Sequence, residues 1–133
     1  MTTKQDTSDS TTPLSLSLHV KITIAPSNLQ PFLDALRPVY ESVISEPENL
    51  FFEAYTSTTK DEQTGEELQL IKFVENWVGT PEWFMTVQMQ KPYYKEYRET
   101  TVPMFVRPRE HEFWSRLPGK EWVSVKPSMY SDL

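Results

Sequence analysis

The stretch from Leu68 to Pro81 constrains the fold more than any other part of the chain. An apolar strand pattern runs to Glu75-Asn76-Trp77 and, after Val78-Gly79, meets Thr80-Pro81-Glu82. Thr80 as N-cap, Pro81 at the first helical position and an acid in the first turn all signal a helix start. That helix is interrupted. Pro92, within Lys91-Pro92-Tyr93-Tyr94-Lys95-Glu96-Tyr97, can restart a regular helix but cannot continue one, so a break is expected near Gln90-Lys91. A strand feeding a two-piece helix makes a wall and a lid for a small pocket, with Trp83, Phe84, Val87, Tyr94 and Tyr97 facing inward.

The strand is apolar on both faces, with Leu68, Leu70 and Val74 on one and Ile71, Phe73 and Trp77 on the other. Both faces should therefore be covered. Helices supply one cover, and a second subunit is the obvious source of the other. Upstream, Leu18, Val20, Ile22 and Ile24 alternate with His19, Lys21 and Thr23, the pattern of a half-buried strand. Pro26-Ser27-Asn28 ends it. Leu29, Phe32, Leu33, Leu36, Val39, Val43 and Ile44 then follow helical spacing. Pro31 sits in the tolerant first turn, whereas Pro38 should kink the helix at a cost of about 3 kcal/mol unless packing offsets it. Glu46-Pro47 closes the helix.

Leu50 to Thr56 reads as a second strand, and polar Thr58 to Glu67 as a long exposed hairpin loop. His111 to Leu117 fits a strand or a short helix, and Glu121 to Val125 reads as a strand. The order strand, helix, strand, strand, helix, strand is α+β: a ferredoxin-like unit with an antiparallel sheet and helices on one face. Two such sheets placed face to face give a dimeric α+β barrel that buries the bare face isologously.

A chain of 133 residues, 38% of them hydrophobic, supports one domain. It is expected over residues 16–127. Residues 1–15 form a polar tail expected to be disordered, without the basic start and apolar stretch of a secretory signal, and 128–133 form a C-terminal tail. No apolar run approaches the about 18 residues of a membrane helix. The absence of cysteine excludes disulfides, thiolate nucleophiles and thiolate metal ligands, and makes a cytoplasmic location the default. A formal charge of −6 argues against nucleic acid or an anionic membrane as partner. Arg107, Arg109, Arg116 and Lys120 are interleaved with Glu110, Glu112 and Glu121, which reads as a solvated surface. Three glycines cannot build a phosphate-cradling loop, and no Gly-x-Ser-x-Gly elbow occurs, so a bound flavin or nicotinamide is unsupported. Two distant histidines give no metal-ligand spacing. The outlier is aromatic content: four Trp, six Tyr and seven Phe, concentrated between Phe73 and Trp122. That suits a core first, and equally a pocket for a flat apolar ligand.

Glu46-Pro47-Glu48 before the second strand, Glu75 and Trp77 as a Glu-x-Trp pair ending the third, and Pro92 and Tyr97 beyond the helix break occur in a telling order. Through them, Leu18 to Leu117 resembles the antibiotic biosynthesis monooxygenase family of small dimeric α+β barrels. The family pattern has glycine where Glu48 stands and histidines where Gln88 and Tyr93 stand. The resemblance implies a cofactor-independent monooxygenase of secondary metabolism acting on a small aromatic or lipid-derived metabolite. It further implies a homodimer, no bound cofactor, and molecular oxygen as co-substrate. An electron-rich phenolate can pass an electron to dioxygen itself, leaving the protein to supply a dry cavity, orientation and a proton acceptor. The haem-degrading branch needs an axial histidine on the second helix, where this sequence has none.

The candidate catalytic residues are Asn76, Tyr93 and Gln88. Asn76 could hold a phenol, a quinone oxygen or superoxide, or simply bond its own turn. Gln88 can hydrogen-bond but cannot titrate, and Tyr93, ordinarily near a pKa of about 10, could act only if its site shifts it. Trp77, Trp83, Phe84 and Tyr97 are the candidate substrate-binding residues, and core packing accounts for them as well. His19 reads as a surface or interface group. Glu53 and Glu75 could meet across the sheet as a carboxylate pair, or pair with Lys72 or an arginine, or face water. Two further functions fit: a non-catalytic small-molecule-binding or dimerisation module, and an isomerase or decarboxylase on the same scaffold.

Overall fold

The computed structural model describes residues 15–130. The tail expected over residues 1–15 lies, apart from Ser15, outside the described residues, as do 131–133. Seven main elements follow one another: β1 (Ser15–Ile24), α1 (Leu29–Ile44), β2 (Asn49–Lys60), β3 (Glu67–Val78), α2 (Pro81–Thr86), α3 (Tyr94–Thr101) and β4 (Glu110–Ser115). The strands form one sheet in the order β2-β3-β1-β4, with antiparallel neighbours throughout. This is the expected α+β ferredoxin-like architecture.

Strand pleat decides what each face holds. Leu18, Val20 and Ile22 of β1 lie beside Glu75, Phe73 and Ile71 of β3 on the helix-covered face. Helix α1 lays Phe32, Leu36, Val39 and Val43 on that face, all buried and at helical spacing. Each contributes about 1.5–3 kcal/mol of burial. Pro38 stays inside the continuous helix, next to buried Val39. Thr80 caps α2 by accepting from the Trp83 N–H at 3.0 Å. The break follows as a 3-10 turn over Gln88–Gln90 and an extended Lys91.

Several local expectations differ from the structure. The hairpin strands run to Lys60 and from Glu67, because Thr56, Thr58 and Thr59 favour a pleated backbone despite their polarity. The loop shrinks to residues 61–66, held by the Asp61 carboxylate accepting from the N–H groups of Gln63 and Thr64. Residues 110–115 form a strand, whereas Glu121 to Val125 is exposed and irregular. Val87 is exposed, since the 3-10 turn rotates it outward and buries Gln88 in its place.

The opposite sheet face is only partly covered. Leu68 is buried, Leu70, Val74 and Asn76 are half-buried, and Lys72 is exposed. Nearby, His19 shares a hydrogen bond of 3.0 Å with Ser17 and lies beside the exposed Trp114. No helix among the described residues is long and apolar enough to cross a membrane.

Candidate functional site

A cavity of about 130 Å³ lies between the sheet and its helical cover. Leu18, Val20, Ile22 and Phe73 form its floor, α1 closes one side through Leu36, Val39 and Val43, and Phe84, Met89, Tyr94 and Tyr97 close the other. An apolar cavity of about 150 Å³ accepts a benzene ring, so this one is sized for a single small ring.

One carboxylate stands in this apolar lining. Glu75 is 6% exposed and follows Phe73 on the inward face of β3. Burial pushes its pKa from 4.5 up to about 7. The Trp77 indole N–H, donating to Oε1 at 3.0 Å, and the charge of Arg109 on the cavity wall both pull the other way. A carboxyl raised to about 7 in an apolar-lined cavity is suited to take and return a proton.

The second polar feature is a chain of side chains from the surface to the cavity wall. Lys91 Nζ and the Tyr93 hydroxyl both donate to Glu46 Oε2, at 2.9 and 2.7 Å. Gln88, wholly buried, donates through Nε2 to the Tyr93 oxygen at 2.7 Å and the Tyr94 oxygen at 3.0 Å. The Tyr94 hydroxyl belongs to a residue lining the cavity. Gln88 Oε1 is buried without a hydrogen-bond partner among the described residues. Lys91, then Tyr93, hold the Glu46 carboxyl below its ordinary pKa. Burial and Glu46 push Tyr93 up to about 12, and burial likewise raises Tyr94 and Tyr97. All three phenols are therefore neutral donors near neutral pH, and Tyr93 is moved away from the range in which it would act as a base.

The sequence-derived candidates separate into groups. Tyr97 and Phe84 line the cavity, while Gln88 and Tyr93 support Tyr94 from behind. Trp77 is fully buried behind the lining, donating a hydrogen bond to Glu75 and packing edge-on against Phe84. Trp83 packs on Trp77 and Phe84, outside the cavity lining. Asn76 lies on the other sheet face, because the pleat turns it away from its neighbours Glu75 and Trp77. The suggested Glu53–Glu75 pair does not form: Glu53 is opposite Val74, and the pleat sends the two carboxylates to opposite faces. Glu75 is the central group that sequence reasoning left unresolved, although its place between inward-facing Phe73 and Trp77 was a signal for burial. Of the two arginines on the cavity wall, Arg98 was passed over and Arg109 was read as solvated surface. Among the described residues, no cluster of three His, Asp or Glu side chains could hold a metal ion.

Sheet, helical cover and the aromatic-rich cavity between them define a small ferredoxin-like α+β protein. No family model matches the chain. A protein of Pestalotiopsis microspora named "Putative monooxygenase GME11364" is 36% identical over 118 residues, 89% of this chain and 92% of that protein. Two solved structures named "Putative antibiotic biosynthesis monooxygenase" share the fold. The Nitrosomonas europaea protein has a TM-score of 0.60 at 17% identity, covering 79% of this chain and 92% of its own. The Caulobacter crescentus CB15 protein has a TM-score of 0.61 at 12% identity, covering 84% and 98%. The chain belongs to the same family as that Pestalotiopsis microspora protein and has the fold of the two antibiotic biosynthesis monooxygenase structures.

Proposed function

We propose that this protein is a cofactor-independent monooxygenase that oxidises a small, electron-rich phenol to a quinone, with Glu75 as the general base. The observation that carries the reading is a buried carboxyl with a pKa of about 7 on the wall of a ring-sized apolar cavity. Glu75 takes the hydroxyl proton and leaves a phenolate. The phenolate passes one electron to dioxygen, and the resulting radical pair combines to form a carbon–oxygen bond on the ring. The peroxide then loses water as its O–O bond breaks and the ring carbon gives up its hydrogen, with Glu75 returning the proton. The balance is phenol plus dioxygen giving quinone plus water. The substrate supplies all the electrons, so no external reductant enters. Tyr94, held by Gln88, and Tyr97 serve as neutral donors to oxygen atoms of the bound ring.

The homodimer belongs to the same proposal. The half-buried Leu70, Val74 and Asn76 face suits a second copy of the sheet, while each cavity stays within its own protomer. A cytoplasmic place and a role in secondary metabolism complete the reading. Oxygen uptake by purified, metal-free protein with an electron-rich substituted phenol tests it, with the product identified by mass after reaction under labelled dioxygen. Uptake with one labelled oxygen in the quinone, lost in Glu75→Gln, is the expected result. Binding without uptake would make the protein a ligand-binding module. Full activity in Glu75→Gln would remove the assigned base.

A further inference from the structure

We propose that the ligand of this cavity is a single-ring aromatic hydroxy acid, its carboxylate held by Arg98 and Arg109 at the mouth and its hydroxyl directed inward to Glu75. This rests on the preceding reading of the cavity and names the class of substrate. Exposure orders the polar wall groups: Glu75 and Tyr94 are buried, Tyr97 is half-buried, and Arg98 and Arg109 are exposed. The two guanidiniums therefore mark the open end.

Neither is neutralised, and Arg98 is held in place. Arg98 Nη2 donates to the Met89 carbonyl at 2.7 Å, and the guanidinium lies 5.4 Å from the centre of the Tyr94 ring. These contacts fix its plane and leave most of its five N–H donors unused. Arg109 lies just ahead of β4 and acts on Glu75 through space. Among the described residues neither arginine is in an ion pair, although the chain carries a formal charge of −6. Other cations in this acidic protein do find partners: Lys91 pairs with Glu46 and Arg107 with Asp61. Two unpaired guanidiniums at the mouth of an apolar cavity are what a carboxylate anchor requires, since the planar fork matches two carboxylate oxygens. A neutral ring would leave both unused. A ring filling about 130 Å³ with its carboxylate at the mouth puts the substituent at its far end deep inside, where Glu75 is the acceptor.

Calorimetric titration with 4-hydroxybenzoate and 4-hydroxybenzamide separates charge from shape. The acid is expected to bind about tenfold more tightly than the amide. That preference should disappear in the double variant Arg98→Gln, Arg109→Gln, and persist in Lys60→Gln, which removes a distant cation. Should the double variant fail to fold, Arg109→Gln alone, at an exposed position outside regular structure, should reduce the preference by about threefold. Equal binding of acid and amide, no binding of either, or a preference that survives loss of the arginines would overturn the proposal. Acid-selective binding without oxygen uptake would leave this inference standing and remove the oxygenase. Uptake with neutral phenols but no acid selectivity would do the reverse.

Discussion

The Trp77 indole N–H donates to Glu75 Oε1 across 3.0 Å, with both side chains buried on the same face of β3. That bond makes the buried acid tolerable without cancelling its cost. The folded pKa of Glu75, about 7, lies above the ordinary 4.5, so the native state holds this proton more tightly than the unfolded chain does. Its contribution to stability is fully present below pH 4.5, falls as pH rises to about 7, and is then lost. The span is about 3 kcal/mol. Urea unfolding of wild type and Glu75→Gln at about pH 5 and pH 8 isolates it, because every other group is common to both. Wild type should lose stability relative to the variant at the higher pH; a constant difference would contradict the burial argument.

Replacing Trp77 by Phe removes the donor and keeps most of the ring volume. The groups facing Glu75 are Arg98 and Arg109 toward the mouth and Tyr94 and Tyr97 from α3. The raised phenols stay neutral across the range, so the Glu75 titration alone moves. The acid limb of the rate–pH profile should shift upward by about one pH unit, with the high-pH plateau largely kept. A profile unchanged in position would mean that the indole does not act on the ionising group.

Gln88 holds two phenols at once, so Gln88→Leu strips one hydrogen bond from each of Tyr93 and Tyr94. Leaving buried polar groups without partners should cost about 1–3 kcal/mol in denaturant unfolding. Tyr93→Phe should cost less, about 1 kcal/mol, because the Lys91–Glu46 ion pair remains. In turnover, Gln88→Leu should lower kcat more than it raises KM, since Tyr94 loses its orientation while the apolar lining is intact. Equal stability losses in the two variants would show that the amide is not the hub of the network.

Local rules explain which parts of this protein could be read from its sequence. Alternation in β1, the spacing of Phe32, Leu36, Val39 and Val43, the Thr80-Pro81 start and the Pro92 break each depend on neighbours within a turn or a pleat. The Glu46–Tyr93 contact joins residues 47 apart and has no local signature. Glu75 sits between these cases. Its charge pointed to water, whereas the pleat shared with Phe73 and Trp77 pointed to the core, and the pleat won because the indole supplied a partner. Val87 and Gln88 exchanged roles because a 3-10 turn advances the chain by a different angle from the α-helix assumed for it.

Gly79 gives an independent test of the strand-to-helix junction. It holds a φ of +135°, and an added Cβ would stand 2.6 Å from Cε3 of Trp83. Gly79→Ala must strain the backbone and push the indole away from Trp77 and Phe84, costing about 1–3 kcal/mol. A lowered Tm accompanied by a change in near-ultraviolet circular dichroism is expected. Unchanged stability would mean that Trp83 moves freely, and that its packing does not hold α2 in place.

The open sheet face tests assembly separately from chemistry. Val74 is half-buried there, opposite His19 on β1 and Glu53 on β2. A face-to-face dimer would bury Val74, and Val74→Asp would then place an unpaired charge at the interface, a loss of about 3–5 kcal/mol. Light scattering should show a dimer for wild type at micromolar concentration and a monomer for the variant. Exposed Trp114 on the same face adds a second readout, with emission shifting to longer wavelength when the interface opens. Because the cavity lies on the far side of the sheet, ligand affinity of a folded monomeric variant should stay within about twofold of wild type. A larger loss would mean that the partner shapes the cavity through the sheet. A monomeric wild type would leave the apolar side chains of this face without the cover that the homodimer proposal assigns to them.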